Sequence, residues 1–186
     1  YKKDTAIRLN WQNNISLSNV TLTDNEYGLY LSNTVNITLT NSIIWTSSRS
    51  PIYLKDENSK ISISYSDILG GEANIGGTGV VTWGTGNITG NPLFVDANND
   101  DYHLQSTSPC IDAGDPDADG DGVNYTTDAD DQDPDGTRMD IGAYFYEQDQ
   151  TAPSITSVSL ASDNGTISVT FSEAVYNTNG GSGALE

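Results

Sequence analysis

The feature that most restricts the fold of this chain is a repeat of 22 to 24 residues between residues 6 and 69. Residues 14–19 (NISLSN) align position by position with residues 36–41 (NITLTN), and residues 60–65 (KISISY) form a third copy. A second track repeats in the same phase through residues 6–9, 28–31 and 51–54. Two tracks that repeat together indicate a stack of equivalent coils.

Within each copy, apolar and small polar residues alternate, as Ile15 and Leu17 do with Ser16 and Ser18. A period of two residues is typical of a β-strand, and no apolar pattern of helical spacing is long enough for a crossover helix. Short strands that recur every 22 to 24 residues predict a solenoid in which each coil adds about 4.8 Å along the axis. The side chains expected to point inward are Ile15, Leu17, Ile37, Leu39, Ile61 and Ile63.

With these repeats, residues 1–75 resemble the right-handed parallel β-helix family, the fold of pectate-lyase-like proteins and of many bacterial surface proteins. The resemblance implies an all-β solenoid with a C-terminal cap. In that family, asparagines at equivalent turns stack into ladders, and Asn19 over Asn41 fits this pattern, whereas Tyr65 interrupts it in the third coil.

After Leu69 the repeat ends in a glycine-rich passage, and a solenoid needs such an ending because its last coil would otherwise expose open strand edges. The motifs that follow, in residues 91–96, 106–114 and 140–144, are similar to the C-terminal region of bacterial β-helix surface proteins. The similarity implies a cap over residues 76–148. Its expected apolar plug consists of Leu93, Phe94, Leu104, Ile111, Ile141 and Tyr144.

The charge of the chain is concentrated in this predicted cap. The formal net charge is -19, and 16 of the 26 acidic residues lie between Asp96 and Asp149, where Arg138 is the only basic residue. So acidic a surface disfavours nucleic acid and anionic membranes as partners, and no apolar run is long enough to insert into a bilayer. The acidic block would either remain disordered or fold around cations.

The strongest chemical motif lies inside the acidic block. Asp117, Asp119, Asp121 and Asp128 occupy positions 1, 3, 5 and 12 of a loop that has glycine at position 6. This is the ligand spacing of a calcium loop of the EF-hand type, in which the backbone carbonyl of Val123 supplies position 7. Because aspartate rather than glutamate closes the loop, it resembles the calcium loops of dockerins and thrombospondin type 3 repeats. The expected cofactor is Ca²⁺.

A second and less regular acidic cluster follows, made of Asp130, Asp131, Asp133 and Asp135. It either shares ligands with the first cluster or holds another ion, and a solvated acidic loop is the alternative for both clusters. Loops of this kind bind calcium with dissociation constants of about 10⁻⁴ to 10⁻³ M, which favours a calcium-rich, extracellular or cell-surface location. The resemblance adds that the source is bacterial.

The sequence of residues 149–186 predicts a linker followed by a second, separate β domain. Val158 and Leu160 precede a hairpin turn at Asn164 and Gly165, and an alternating strand from Ile167 follows. This stretch resembles the opening of bacterial immunoglobulin-like domains, and we expect it to be a truncated β-sandwich. The resemblances together imply that further coils and further immunoglobulin-like repeats continue the chain covalently at its two ends.

No catalytic group can be assigned from the sequence. His103 is the only histidine and Cys110 the only cysteine, and neither belongs to a nucleophile motif. Three function classes remain: a non-catalytic structural or adhesive surface module stabilised by calcium, a calcium-dependent carbohydrate-binding surface, and the distal part of a polysaccharide lyase or glycoside hydrolase whose active site lies upstream. Tyr30 and Tyr53 occupy equivalent positions in successive coils, so we expect their rings to stack. Such rings favour the second class because aromatic faces bind sugars, whereas an ordinary stabilising ladder is the alternative. The partner of the second class would be an extracellular polysaccharide or a cell-surface glycan.

Overall fold

The structure is a computed structural model, and it describes residues 3–45, 49–149, 152–162 and 165–173. The chain forms two compact units, Tyr1–Gln148 and Asp149–Glu186. The described helices are three 3₁₀ turns, at Glu72–Asn74, Ala97–Asn99 and Ala129–Asp131. None of the helices in the described residues could cross a membrane.

The first unit consists almost entirely of short strands. They are β1 (Lys3–Asn10), β2 (Asn13–Ser18), β3 (Thr21–Thr23), β4 (Asn25–Ser32), β5 (Val35–Thr40), β6 (Ile43–Trp45), β7 (Ile52–Leu54), β8 (Lys60–Ser64), β9 (Asp67–Ile68), β10 (Gly76–Gly77), β11 (Val80–Trp83), β12 (Phe94–Asp96) and β13 (Asp101–Leu104). Strands β12 and β13 pair in antiparallel fashion, whereas the earlier strands form parallel sheets.

The parallel strands form three sheets, and each of the first three coils contributes one strand to each sheet. Sheet A has the order β1-β4-β7-β10, sheet B β2-β5-β8-β11 and sheet C β3-β6-β9. Ile37 of the second coil pairs with Ile15 of the first and Ile61 of the third, as the sequence alignment predicts. The predicted parallel β-solenoid is therefore confirmed, and its parallel pairing continues beyond residue 75 into β10 and β11.

The core of the solenoid consists of the alternating apolar residues. Ile37, Leu39, Ile61 and Ile63 are buried, and in sheet A they are joined by Leu29, Leu31, Ile52 and Leu54. The serine and threonine side chains between them, Ser16, Thr38 and Ser62, are exposed, so the predicted facing is confirmed. Ile15 and Leu17 also pack on this core, but they remain half-buried because no described coil covers them on the other side.

Each coil turns sharply between its sheet B strand and its sheet C strand, and this corner explains why asparagine recurs in the repeat. Asn19, Asn41 and Tyr65 have φ values of 52°, 48° and 46°, in the left-handed region that asparagine tolerates better than most residues. The Asn41 side chain bonds to Asp115 and Met139, and the asparagine side chains that bond between the first two coils are Asn14 and Asn36, at 3.0 Å. Tyr65 takes the third position of the column with the same backbone geometry. Gly86 follows Tyr65 in this column with a φ of 72°, and a Cβ atom there would overlap the Tyr65 ring.

Residues 92–148, here called the strap, lie along the outer face of sheet C. Leu104, Cys110 and Ile141 of the strap bury Ile43, whose neighbour Ile44 points into the solenoid. The sequence motif predicts a cap over the last coil, but the strap also contacts earlier coils, since Gly142 N donates to Asn41 O at 2.9 Å. Of the predicted plug residues, Tyr144 is exposed, and Tyr146 packs beside the buried cluster.

In the described part of the second unit, β14 (Ile155–Leu160) pairs with β15 (Ile167–Phe171) in antiparallel fashion. The apolar side chains of this pair are largely exposed, as shown by exposed fractions of 62% for Val158 and 65% for Ile167. Two strands cannot bury a core of their own, so this pair fits the start of a β-sandwich. Asn164 of the predicted turn lies outside the described residues.

Candidate metal centre

The acidic part of the strap is anchored to the solenoid through Asn41. The Asn41 side-chain oxygen accepts a hydrogen bond from the backbone N–H of Asp115 at 2.7 Å, and its amide nitrogen lies 3.7 Å from the Met139 sulfur. Gly114 N donates to Met139 O at 2.8 Å, which joins the two ends of the acidic loop. These contacts fix the position of the loop between residues 115 and 139 against the second coil.

Three aspartates of this loop converge on one point. One carboxylate oxygen each from Asp117, Asp119 and Asp131 lies within 4.8 Å of the others. Local hydrogen bonds orient two of these side chains: the Asp117 carboxylate accepts from Gly122 N at 3.1 Å, and Asp119 Oδ1 accepts from Asp121 N at 3.0 Å. The N–H of Gly122, at loop position 6, thus donates to the carboxylate of Asp117, at loop position 1.

Asp131 gives this group a property that an ordinary acidic surface lacks. Its side chain is fully buried, and Oδ1 accepts a hydrogen bond from Ala118 N at 2.6 Å. Its second oxygen, Oδ2, is buried and has no hydrogen-bond partner among the residues that the structure describes. A buried anionic oxygen is costly unless a hydrogen bond or a cation compensates it. A bound cation is one way to compensate the buried Oδ2 of Asp131.

The structure places the other residues of the predicted twelve-residue loop outside this group. Asp121 is exposed, and its Oδ1 accepts from Val123 N at 2.7 Å. Asp128 caps the 3₁₀ turn and accepts from Asp130 N at 3.3 Å. Hydrogen bonding between the Asp128 and Asp130 side chains raises the pKa of Asp128 to about 6. Ligation by Asp121, Val123 and Asp128 stays a prediction.

The second predicted cluster is divided between two roles. Asp131 lies with Asp117 and Asp119, whereas Asp133 and Asp135 hold the loop backbone. Asp133 accepts from Asp140 N at 2.7 Å, and Asp135 accepts from Gln148 N at 2.8 Å. Burial, followed by the nearby Asp140 carboxylate, raises the pKa of Asp133 to about 7. The exposed Asp130 lines a neighbouring groove.

The donor set suits a hard cation. Three aspartates supply only oxygen ligands, and calcium prefers six to eight of these, so three carboxylates provide part of a calcium shell. No neutral nitrogen or sulfur donor belongs to this group of described residues, which makes zinc a poor match. Residues Asp117, Asp119 and Asp131 would hold the ion.

A polar groove of about 350 Å³ separates the acidic loop from the outer face of sheet B. Ser16, Ser18 and Thr40 present hydroxyl groups from the sheet, and Asp115 and Asp119 present carboxylates from the loop. Asp119 therefore belongs both to the groove and to the group of three aspartates. The described residues that line the groove include no basic side chain.

The predicted tyrosine stack on sheet A is present, with the ring centroids of Tyr30 and Tyr53 5.4 Å apart. The guanidinium of Arg8 lies 4.0 Å from the Tyr30 centroid on this stack. Gly76 lies against the Tyr53 ring, where a Cβ atom would come within 2.8 Å of a ring carbon. Because neighbours occupy the ring faces, the stack stabilises the coils and offers little open face for a sugar.

These features define a parallel β-solenoid whose side carries a folded acidic strap. Comparison of the chain with protein-family models, with curated proteins and with solved structures gives no match.

Proposed function

We propose that this chain is a non-catalytic structural or adhesive module of a secreted or cell-surface protein, and that calcium stabilises it. The resemblances to β-helix surface proteins and to immunoglobulin-like repeats support a bacterial source. The observation that carries the calcium proposal is the buried, unpartnered Oδ2 of Asp131 beside Asp117 and Asp119. A bound Ca²⁺ compensates this oxygen and reduces the repulsion within the acidic loop.

Calorimetric titration with calcium tests this proposal and identifies the ligands. We expect the wild-type chain to bind calcium and Asp131→Asn to weaken binding at least about tenfold, because it removes a buried anionic ligand. Asp121→Asn tests the ligand that the loop spacing predicts. Asp133→Asn is the matched control, since Asp133 lies in the same loop but bonds to Asp140 N. Absence of binding by the wild type, or equal binding by Asp131→Asn, would contradict the proposal.

The polar groove supports a second candidate function, a calcium-dependent carbohydrate-binding surface. Hydroxyl groups and carboxylates line the groove, and a calcium ion held partly by Asp119 could complete its oxygen shell with sugar hydroxyls. The negative wall formed by Asp115 and Asp130 favours neutral glycans over acidic ones.

A glycan array probed in calcium and in chelator tests the second candidate. We expect binding to neutral glycans that chelator abolishes and that Ser18→Ala reduces, because Ser18 lies in the groove. Ser62→Ala is the control, since Ser62 occupies an exposed position of the same sheet but does not line this groove. Binding that survives both chelation and Ser18→Ala would exclude the groove as the site.

A further inference from the structure

A carboxylic acid is buried between the third coil and the strap. Asp67 begins β9 and pairs with Ile43 in the second coil and with Ile88 in the next one. The neighbouring coils have isoleucine at this position of sheet C, whereas the third coil has an aspartate whose exposed fraction is 0%. An acid at an isoleucine position is unfavourable for stability alone, which indicates a different role.

The contacts of Asp67 come from the strap. The thiol of Cys110, also fully buried, donates to Asp67 Oδ2 at 3.4 Å. Oδ1 is buried and has no hydrogen-bond partner within the described part of the chain. Cys110 belongs to the apolar cluster of Leu104 and Ile141 that seats the strap on sheet C. Asp67 therefore lies at the surface through which the strap contacts the solenoid.

The groups around Asp67 favour its neutral form. Ile43 and Ile88 flank it in the sheet, Cys110 is the titratable group that faces it from the strap, and the Asp140 carboxylate lies near Cys110. No basic side chain contacts Asp67 among the residues that the structure describes. Burial raises the pKa of Asp67 to about 7 and also raises the pKa of the Cys110 thiol.

We propose that Asp67 is a protonation-controlled latch: its neutral carboxyl group keeps strap residues 104–111 seated on the third coil, and its ionisation loosens them. An open strap exposes Asp67 to water, where a carboxyl group ionises near pH 4. The closed form therefore binds the proton more tightly than the open form.

The direction of the pH effect follows from this difference. The contact between the strap and the third coil is most stable below about pH 4. It weakens as the pH rises toward about 7, where Asp67 also ionises in the closed form. Between these limits the opening equilibrium increases about tenfold per pH unit, and above about pH 7 it becomes constant. The latch thus responds across the mildly acidic range.

Cys110 reports opening directly, because it is the only cysteine of the chain and is buried when the strap is closed. The experiment measures its modification by a disulfide reagent that reacts in acid, at constant saturating calcium. Dividing the rate in the unfolded chain by the rate in the native protein at each pH gives a protection factor. For the wild type we expect the protection factor to fall about 50-fold from pH 5 to pH 7 and about twofold further at higher pH before it becomes constant.

Two variants remove the titrating group in different ways. Asp67→Asn keeps the size of the side chain, and Asp67→Ile continues the isoleucine column of Ile43 and Ile88. We expect both to lose most of the wild-type pH dependence, because the other buried acids of the strap with a raised pKa, Asp133 and Asp140, lie outside residues 104–111. Glu57→Gln, an exposed acid in the same coil, is the control and should keep the wild-type profile.

Hydrogen exchange of the amides in residues 104–111 gives a second measurement on the wild type and does not depend on any variant. Protection there should also decrease from pH 5 to pH 7, after correction for the intrinsic exchange rate. Wild-type protection that is constant over this range, by either measurement, would overturn the proposal. So would an equal slope in the wild type and in a folded Asp67→Asn or Asp67→Ile protein.

Discussion

In calcium at 100 times its dissociation constant, we expect the first unit to be more stable by about 2.7 kcal/mol than in chelator. The value is the linkage free energy for one site that exists only in the folded state. Asp117, Asp119 and Asp131 meet because the loop is folded against Asn41, so an unfolded chain has no equivalent site. At the same calcium concentration, Asp131→Asn should remove at least about half of this gain, because tenfold weaker binding leaves about 1.4 kcal/mol.

Thermal unfolding in calcium, magnesium and chelator checks this expectation. Magnesium should substitute poorly, because it requires a smaller octahedral shell and keeps more of its water. Hydrogen exchange in chelator should increase first within residues 112–140, ahead of the coils. Equal melting temperatures in the three buffers would show that the acidic loop needs no ion.

The second large effect should come from the solenoid core. Leu39→Ala should destabilise the protein by about 2–5 kcal/mol, the usual range for truncating a buried leucine. Leu39 is fully buried and is stacked between Leu17 below and Ile63 above. Few neighbouring atoms can move into the space, because each coil is fixed by the hydrogen bonds of the adjacent coils.

Denaturant unfolding of matched variants measures this effect. Leu17→Ala makes the same chemical change at a half-buried position of the first coil and should cost less. Thr38→Ala lies next to Leu39 on the exposed face and should change stability by about 0.5 kcal/mol or less. A loss for Leu17→Ala equal to that for Leu39→Ala would contradict the packing described for the coils.

The stack of coils could be predicted because its information is local and repeated. Ile15, Ile37 and Ile61 occupy the same position in similar segments, each followed by serine or threonine, so alignment of the copies also gives the register of the sheet. Alternation with serine and threonine identifies the inward face by itself. Asn19 and Asn41 mark the corner because few other residues adopt its backbone conformation easily.

The strap could not be predicted in the same way, because its contacts join residues that are far apart in sequence. Met139 contacts Asn41 across 98 positions, and no periodicity signals such a pair. The sequence predicts Asp131 as a ligand only through the less regular cluster, because it lies beyond the twelve-residue loop pattern. Asp67 has no signal except that it breaks the isoleucine column, which becomes visible once the register is known.

The path of the strap affects how the solenoid unfolds. An open stack of coils behaves as a one-dimensional array in which each repeat contacts only its neighbours, so the end coils can fray independently. Here Ala143 N donates to Thr21 Oγ1, Asp115 N to the Asn41 side chain, and Cys110 to Asp67, which joins three successive coils through one segment. Fraying of any one coil must break a contact that also restrains the others, so these coils are coupled into a single cooperative unit.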